Sequence, residues 1–248
     1  MVRSAEQRVR ALVEWVRCSF AARANRLLVG VVCGACVAPA ATSLAAPEPS
    51  RDAVYLSWHA PHGTPRAADT LRTPCDDPRR ADTLFVSVFT PRDLPNVIAM
   101  SATLRFDAEP PDSLGPFWEF KSGRANERSM FIEFDVDPAY GCPQPWRAPG
   151  SGAVGYDLRG AGSELQLEYA IPSEQSIPIT PEAQNCIARI RILAQRSGLG
   201  GCGQPVRISV ERVRFELLDA GTLDLDGRSS NAVFWNPRGA AAPAPPLD

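Results

Sequence analysis

The chain has 248 residues, of which 44% are hydrophobic, and this is enough for a domain with a sizeable core. The formal net charge is -2, and six arginines lie within the first 45 residues, so the remainder is more acidic. No basic stripe is left to displace counterions from phosphates, which excludes nucleic acid as a partner.

The first 45 residues have the organisation of a secretory signal peptide. Arginines precede the apolar run "LLVGVVCGACVAPAA" at 27–41, and the small-residue site Ser43-Leu44-Ala45 follows it. This order predicts a signal-peptide helix that is cleaved after Ala45. The apolar run is shorter than a comfortable membrane span, although an uncleaved anchor is the alternative. We therefore predict a secreted or periplasmic protein that keeps no membrane segment after cleavage.

Four cysteines follow the predicted cleavage site. An even number in an exported chain, widely spaced and without a C-x-x-C pair, predicts two disulfides rather than a zinc site. The four are Cys75, Cys142, Cys186 and Cys202. If Cys186 begins a strand that leads to a turn holding Cys202, the two lie about 25 Å apart at roughly 3.3 Å per residue, beyond disulfide reach. Cys186 is thus expected to pair with Cys142 or Cys75.

Period-two alternation of apolar and polar side chains predicts about nine strands and no helix after the signal peptide. The predicted strands cover residues 53–60, 82–90, 96–107, 116–122, 129–138, 164–171, 186–194, 205–218 and 232–236. This pattern is typical of an all-β sandwich, immunoglobulin-like or jelly-roll-like, which we assign to residues 46–236. Residues 237–248 are rich in Pro and Ala and are expected to form a disordered tail.

The alternation also predicts which side chains point into the core. In the first strand it is Trp58, and in the third it is the set Ile98, Met100, Ala102, Leu104 and Phe106. The strands at 186–194 and 205–218 flank a turn-rich segment and are expected to be core strands of one half-buried sheet. After Val210 the inward parity moves to Val213, which predicts a β-bulge or a crossing between sheets.

Two sets of polar or aromatic side chains are candidate sites. A Gly/Pro-rich loop at 139–157 holds three rings that could stack on a sugar or anchor a protein, or fold inward beside Cys142: Tyr140, Trp146 and Tyr156. Three carboxylates are expected on one face of a strand, about 6.6 Å apart in succession: Glu133, Asp135 and Asp137. Such carboxylates could bind calcium or, less well, catalyse glycoside hydrolysis. The alternative is that they simply form the solvent-exposed face of a strand and have no function in binding or catalysis.

The chain resembles a known family in three segments: "VIAMSATLRFD", "CIARIRILA" and "PVRISVERVRFELLDAGTLD". They are similar to strands of cohesin-type domains and of related carbohydrate-binding sandwiches, and the overall layout resembles exported, cysteine-bearing bacterial sandwiches. The resemblance implies a β-sandwich that binds a partner. The chain departs from cohesins in its four cysteines, its long 61–80 loop and its aromatic loop, so dockerin binding is not carried over.

No Ser-His-Asp order or G-x-S-x-G turn nominates a nucleophile, and no cofactor is predicted. We therefore predict a non-catalytic, extracytoplasmic binding or interaction module whose partner is a protein or a polysaccharide at the cell surface. A carbohydrate-binding module is the first alternative, and a glycoside hydrolase is the second.

Overall fold

The computed structural model describes residues 52–109, 113–146, 150–181, 183–226 and 231–238, with the side chains of 195–197 and 226 excepted. The predicted signal peptide lies outside the described residues, as does the predicted tail beyond residue 238. Within these ranges no helix is long and apolar enough to cross a bilayer.

The described residues form twelve strands in two sheets. A four-stranded sheet has the order β1 (Ala53–Trp58), β3 (Ala81–Phe89), β9 (Asn185–Leu193), β5 (Met130–Glu133). An eight-stranded sheet has the order β2 (Thr70–Leu71), β12 (Ala232–Trp235), β10 (Val206–Leu217), β4 (Leu94–Ala108), β7 (Gly162–Ala170), β6 (Ser151–Arg159). Its two remaining strands lie off this path: β11 (Gly221–Asp226) pairs with β10, and β8 (Ile177–Ile179) pairs with β4. All pairs are antiparallel except that of β2 and β12.

Short 3-10 helices complete the described chain, at Pro116–Trp118, Pro138–Tyr140, Ser173–Gln175 and Ala194–Leu199. The predicted class, an all-β protein with a two-sheet architecture, is confirmed. The number of strands is larger than predicted because β2, β6, β8 and β11 carried no recognised signal.

The core lies between the two sheets and contains the inward residues of both. Trp58 is fully buried, as its alternation predicts. In β4 the prediction is right from Met100 to Phe106 but wrong at Ile98, since Val97 is the buried residue there. The cause is a register irregularity at Ile98: Glu216 of β10 pairs with Ala99 and Leu217 pairs with Val97, so Ile98 is an extra residue that shifts the inward parity by one.

The strands at 186–194 and 205–218 are both present as β9 and β10, but they belong to different sheets. The expectation that they share a sheet is wrong, because the 3-10 helix and the turn between them carry the chain from one layer to the other. The predicted bulge is confirmed: the register of β10 on β4 shifts between Val210 and Arg212, and β10 stays in one sheet.

Two predicted strands differ in the structure. Residues 116–122 begin with a 3-10 helix instead, since the buried indole of Trp118 donates from Nε1 to the carbonyl of Gly201 at 3.0 Å and fixes a turn there. The predicted strand at 129–138 ends at Glu133, where the chain bends away from the sheet. The predicted loop at 139–157 contains most of β6, a strand that the prediction missed.

Two disulfides are present, Cys75–Cys202 and Cys142–Cys186, with Cα–Cα distances of 5.9 Å and 5.6 Å. The prediction that Cys186 pairs with Cys142 or Cys75 is therefore confirmed. Disulfides form in oxidising compartments, so this pattern is consistent with a protein that folds outside the cytoplasm.

Candidate functional site

The three predicted aromatic residues do not form a row at the surface. Tyr140 is 40% exposed, whereas Trp146 is 2% exposed and Tyr156 is 8% exposed. The indole Nε1 of Trp146 donates to the carbonyl of Ile187 at 3.2 Å, and its ring lies 5.0 Å from that of Tyr169. Trp146 thus fills the inside of the sandwich.

Tyr156 lies on β6 and not in a loop. Its hydroxyl donates to the carbonyl of Trp118 and lies 2.6 Å from the hydroxyl of Ser163. Burial raises the pKa of the Tyr156 phenol above its ordinary value, against a smaller opposing effect of the Ser163 hydrogen bond. Tyr156 joins the edge of the eight-stranded sheet to the 3-10 helix at Pro116–Trp118.

Tyr140 lies on the outer face of the four-stranded sheet. Its ring is 5.2 Å from that of Phe85, and the guanidinium carbon of Arg189 lies 4.8 Å from the ring centre. Phe85 forms a small second core with Val136 and the Cys142–Cys186 disulfide. The segment after β5 is therefore pinned across this face.

The three predicted carboxylates have separate surroundings. Glu133 ends β5 and forms ion pairs with Arg189 and, at 3.8 Å, with Arg191. Asp135 is exposed, and Asp137 Oδ1 accepts from the backbone N–H of Ala139 at 2.8 Å. The expectation of one shared strand face is wrong because the strand ends at Glu133. Among the described residues no group of three metal-ligating side chains is assembled, and calcium binding stays a prediction.

An open sheet edge stands out when the strand edges are compared. On β1, the amide of Asn231 accepts from the Leu56 N–H at 2.7 Å and donates to the Leu56 carbonyl at 2.8 Å, and Trp58 pairs with Ala68. The edge strands β2 and β5 have only two and four residues. By contrast β6 has nine residues, eight of them exposed, and pairs only with β7 among the described strands.

The turn after β6 determines which backbone groups face the open edge. β6 and β7 are joined by the two residues Gly160 and Ala161, and Gly160 has a φ of 60°, as in a type II′ turn. The closing pair, Arg159 and Gly162, is then hydrogen-bonded, and the bonded pairs alternate along the ladder. The free N–H and C=O groups consequently belong to the even-numbered residues: Gly152, Val154, Tyr156 and Leu158.

The same residues face the core side of the sheet, because Val154, Tyr156 and Leu158 pair with the buried Leu167, Leu165 and Ser163 of β7 and Gly152 pairs with the half-buried Tyr169. Gly152 lies under the ring of Phe134, where a Cβ would come within 2.6 Å of that ring. Beyond it the four-stranded sheet does not reach far enough, so Val154 remains 48% exposed and Leu158 remains 38% exposed. Within the described ranges, a backbone edge without a pairing strand and an exposed apolar face therefore coincide on β6.

A groove of about 610 Å³ runs along this open side of the sandwich, between β5 and β6. Its walls include Met130, Phe131 and Ile132 from β5 and Val154 from β6. At its rim, Lys121 Nζ forms an ion pair with Asp157 at 2.6 Å, and the bond from Lys121 lowers the pKa of the Asp157 carboxyl.

The sequence carries a local signal for β6. "AVGYDL" alternates small or polar residues with Val154, Tyr156 and Leu158, as a strand does. Four glycines within residues 150–160 make the segment resemble a loop. Exposure of the edge depends on the end of β5 and on the sheet order, which no local pattern encodes.

Comparisons with known proteins find no matching family model and no matching curated protein. Solved structures of cohesin modules are similar to the chain. The cohesin module of a family 33 glycoside hydrolase from Clostridium perfringens matches with a TM-score of 0.38 and 11% identity, over 74% of this chain and 97% of that chain.

Two further cohesins have similar values. The type I cohesin of a cohesin–dockerin complex from Clostridium thermocellum matches with a TM-score of 0.37 and 7% identity, over 75% of this chain and 92% of that chain. A type II cohesin from the cellulosome of Acetivibrio cellulolyticus matches with a TM-score of 0.37 and 12% identity, over 75% of this chain and 96% of that chain. The weak resemblance to cohesin-type domains is found in the structure as in the sequence.

Proposed function

We propose that this protein is a non-catalytic, extracytoplasmic interaction module that binds a protein partner by adding an extended strand of that partner to β6. The observation that carries the proposal is the outer edge of β6, a nine-residue strand that no second strand of the described part of the chain covers. It acts in the periplasm or outside the cell, after removal of residues 1–45.

Strand addition has the two requirements that β6 meets. Main-chain N–H and C=O groups at the free edge of the sheet form hydrogen bonds with the added strand and supply the affinity. Every second side chain of the added strand contacts the surface beside that edge and supplies the specificity. Natural sheets blunt long open edges with short strands, charges or a covering segment, as β1, β2 and β5 are blunted here. On β6 the residues toward the groove are apolar, so an incoming strand with apolar side chains at alternate positions would cover Val154 and Leu158.

A sugar-binding function has less support from the rings. Stacking on a polysaccharide requires aromatic faces open to solvent, and both Trp146 and Tyr156 are buried with their polar atoms bonded to the backbone. Tyr140 alone is exposed, and Arg189 lies over its ring. A polysaccharide partner is thus the weaker proposal.

The test is a selection of peptides from a displayed library of random extended sequences on oxidised protein covering residues 46–248. We expect selected peptides to carry apolar residues at alternate positions and to lose binding to Val154→Lys, which places a charge on the groove side of the edge. The matched control is Ser151→Lys, on the solvent side of the same strand. Failure of the monomeric protein to select any peptide, or equal binding to both variants, would overturn the proposal.

A further inference from the structure

We infer that the strand added to β6 is β6 of a second copy of this chain, paired antiparallel about a two-fold axis at Tyr156. This inference rests on the proposed function and names its partner. The two eight-stranded sheets would join into one continuous sheet across the axis.

The strand is complementary to itself on the groove side. With Tyr156 facing Tyr156 of the second copy, Val154 lies opposite Leu158 of that copy, and Leu158 lies opposite its Val154. Both side chains are the ones left uncovered in the single chain. Cross-strand apolar pairs stabilise antiparallel ladders, and here each pair is made twice. The free N–H and C=O groups of the same residues face each other across the axis.

The solvent side also fits this register. Asp157 lies opposite Gly155 of the second copy, and Arg159 lies opposite its Ala153, so each charge meets a small residue and no like charges face each other directly. Lys121, already paired with Asp157 in its own chain, lies at the rim of the same groove. The carboxylate therefore needs no new counter-charge on pairing.

The neighbouring registers fit less well. An axis at Asp157 would bring the two Asp157 carboxylates directly opposite each other, which is unfavourable. An axis at Gly155 would place Leu158 opposite Gly152 and leave its apolar surface uncovered. The axis at Tyr156 is the one that buries the apolar side chains and separates the charges.

The first experiment measures the mass of oxidised protein, residues 46–248, by sedimentation or light scattering across a wide range of concentration. We expect a dimer in equilibrium with monomer, lost in Val154→Lys. Opposite charges at Ala153 test the register, because residue 153 faces Arg159 of the second copy. Ala153→Glu is expected to tighten the dimer roughly two- to tenfold and Ala153→Lys to weaken it by a similar factor.

A covalent test fixes the geometry. In this register residues 153 and 159 of opposite copies form a pair without backbone hydrogen bonds, with Cα atoms about 4.5 Å apart, which a disulfide can bridge. Within one chain the same residues are about 20 Å apart. Ala153→Cys combined with Arg159→Cys should give a dimer that reductant separates, and Ala153→Cys alone should not.

The outcomes separate the two proposals. A protein that is monomeric at every concentration but selects peptides sensitive to Val154→Lys overturns the two-fold pairing and leaves strand addition by another protein. A dimer that is unaffected by Val154→Lys and by charge at Ala153 places the contact elsewhere and also overturns the inference. A monomer that selects no peptide overturns both.

Discussion

Removing the hydroxyl of Tyr156 tests whether this ring serves the sandwich or a ligand. The carbonyl of Trp118 can only accept, so the phenol donates to it and accepts from the hydroxyl of Ser163. In Tyr156→Phe the Trp118 carbonyl and the Ser163 hydroxyl stay buried but lose their hydrogen bond to the phenol. Each unsatisfied buried group lowers the free energy of unfolding by about 1–3 kcal/mol. We expect a total loss of about 3 kcal/mol in the free energy of unfolding.

The assay is thermal denaturation of the oxidised protein by calorimetry, with near-ultraviolet circular dichroism as a second probe. For a domain of this size the loss corresponds to a fall in Tm of roughly 6–12 °C. Tyr140→Phe is the matched control, since that ring is largely exposed, and its effect should stay within about 0.5 kcal/mol. Equal Tm values for the two variants would refute the structural role of Tyr156.

Two other changes have outcomes that follow from local geometry. Gly115→Ala would bring a Cβ within 2.8 Å of the Cα of Gly201, and we expect a lower midpoint of denaturation by urea, whereas Gly203→Ala meets nothing within 4 Å and should be neutral. Lys121→Gln removes the partner that lowers the pKa of Asp157, so carboxyl titration by NMR should show that pKa rising. The native pair is stabilising above the ordinary Asp pKa, and this contribution is lost as pH falls through the lowered value.

These two predictions have direct counter-outcomes. Equal urea midpoints for Gly115→Ala and Gly203→Ala would mean that the turn at 200–204 moves to accommodate the added Cβ without lowering the free energy of unfolding. For the carboxyl, Lys121→Arg keeps a cation in place and should leave the pKa of Asp157 low. A low pKa in Lys121→Gln as well would assign the shift to the weaker effect of Arg159.

Local periodicity correctly predicted strands, and the inward side of each, where one face of the strand is buried and the other is exposed to solvent. Met100, Ala102, Leu104 and Phe106 of β4 are such a case, since each is buried and alternates with a less buried neighbour. The bulge in β10 was predictable for the same reason, because a change of parity at Val210 and Val213 has few other causes. The restriction of Cys186 to Cys142 or Cys75 as partners followed from strand length alone.

Sheet membership and site exposure were not predictable in this way. β9 and β10 have the same alternation, and only the turn between them decides that they lie in different layers. Trp146 and Tyr156 have the composition of a binding loop, yet their burial depends on partners that are distant in sequence, Ile187 for Trp146 and Trp118 for Tyr156. The carboxylates at 133–137 do not share a face because the strand ends at Glu133, five residues before its predicted end.

The amide of Asn231 has a consequence for how far assembly can proceed. By bonding both the N–H and the C=O of Leu56, one side chain takes the place of a neighbouring strand. This cap leaves β1 unable to accept a strand along its full length, so β6, with nine residues, is the longest of the described strands that pair on one side only. Pairing about a two-fold axis closes the edge of β6, and the cap at Leu56 keeps β1 from offering a second long edge at which copies could add into a fibre.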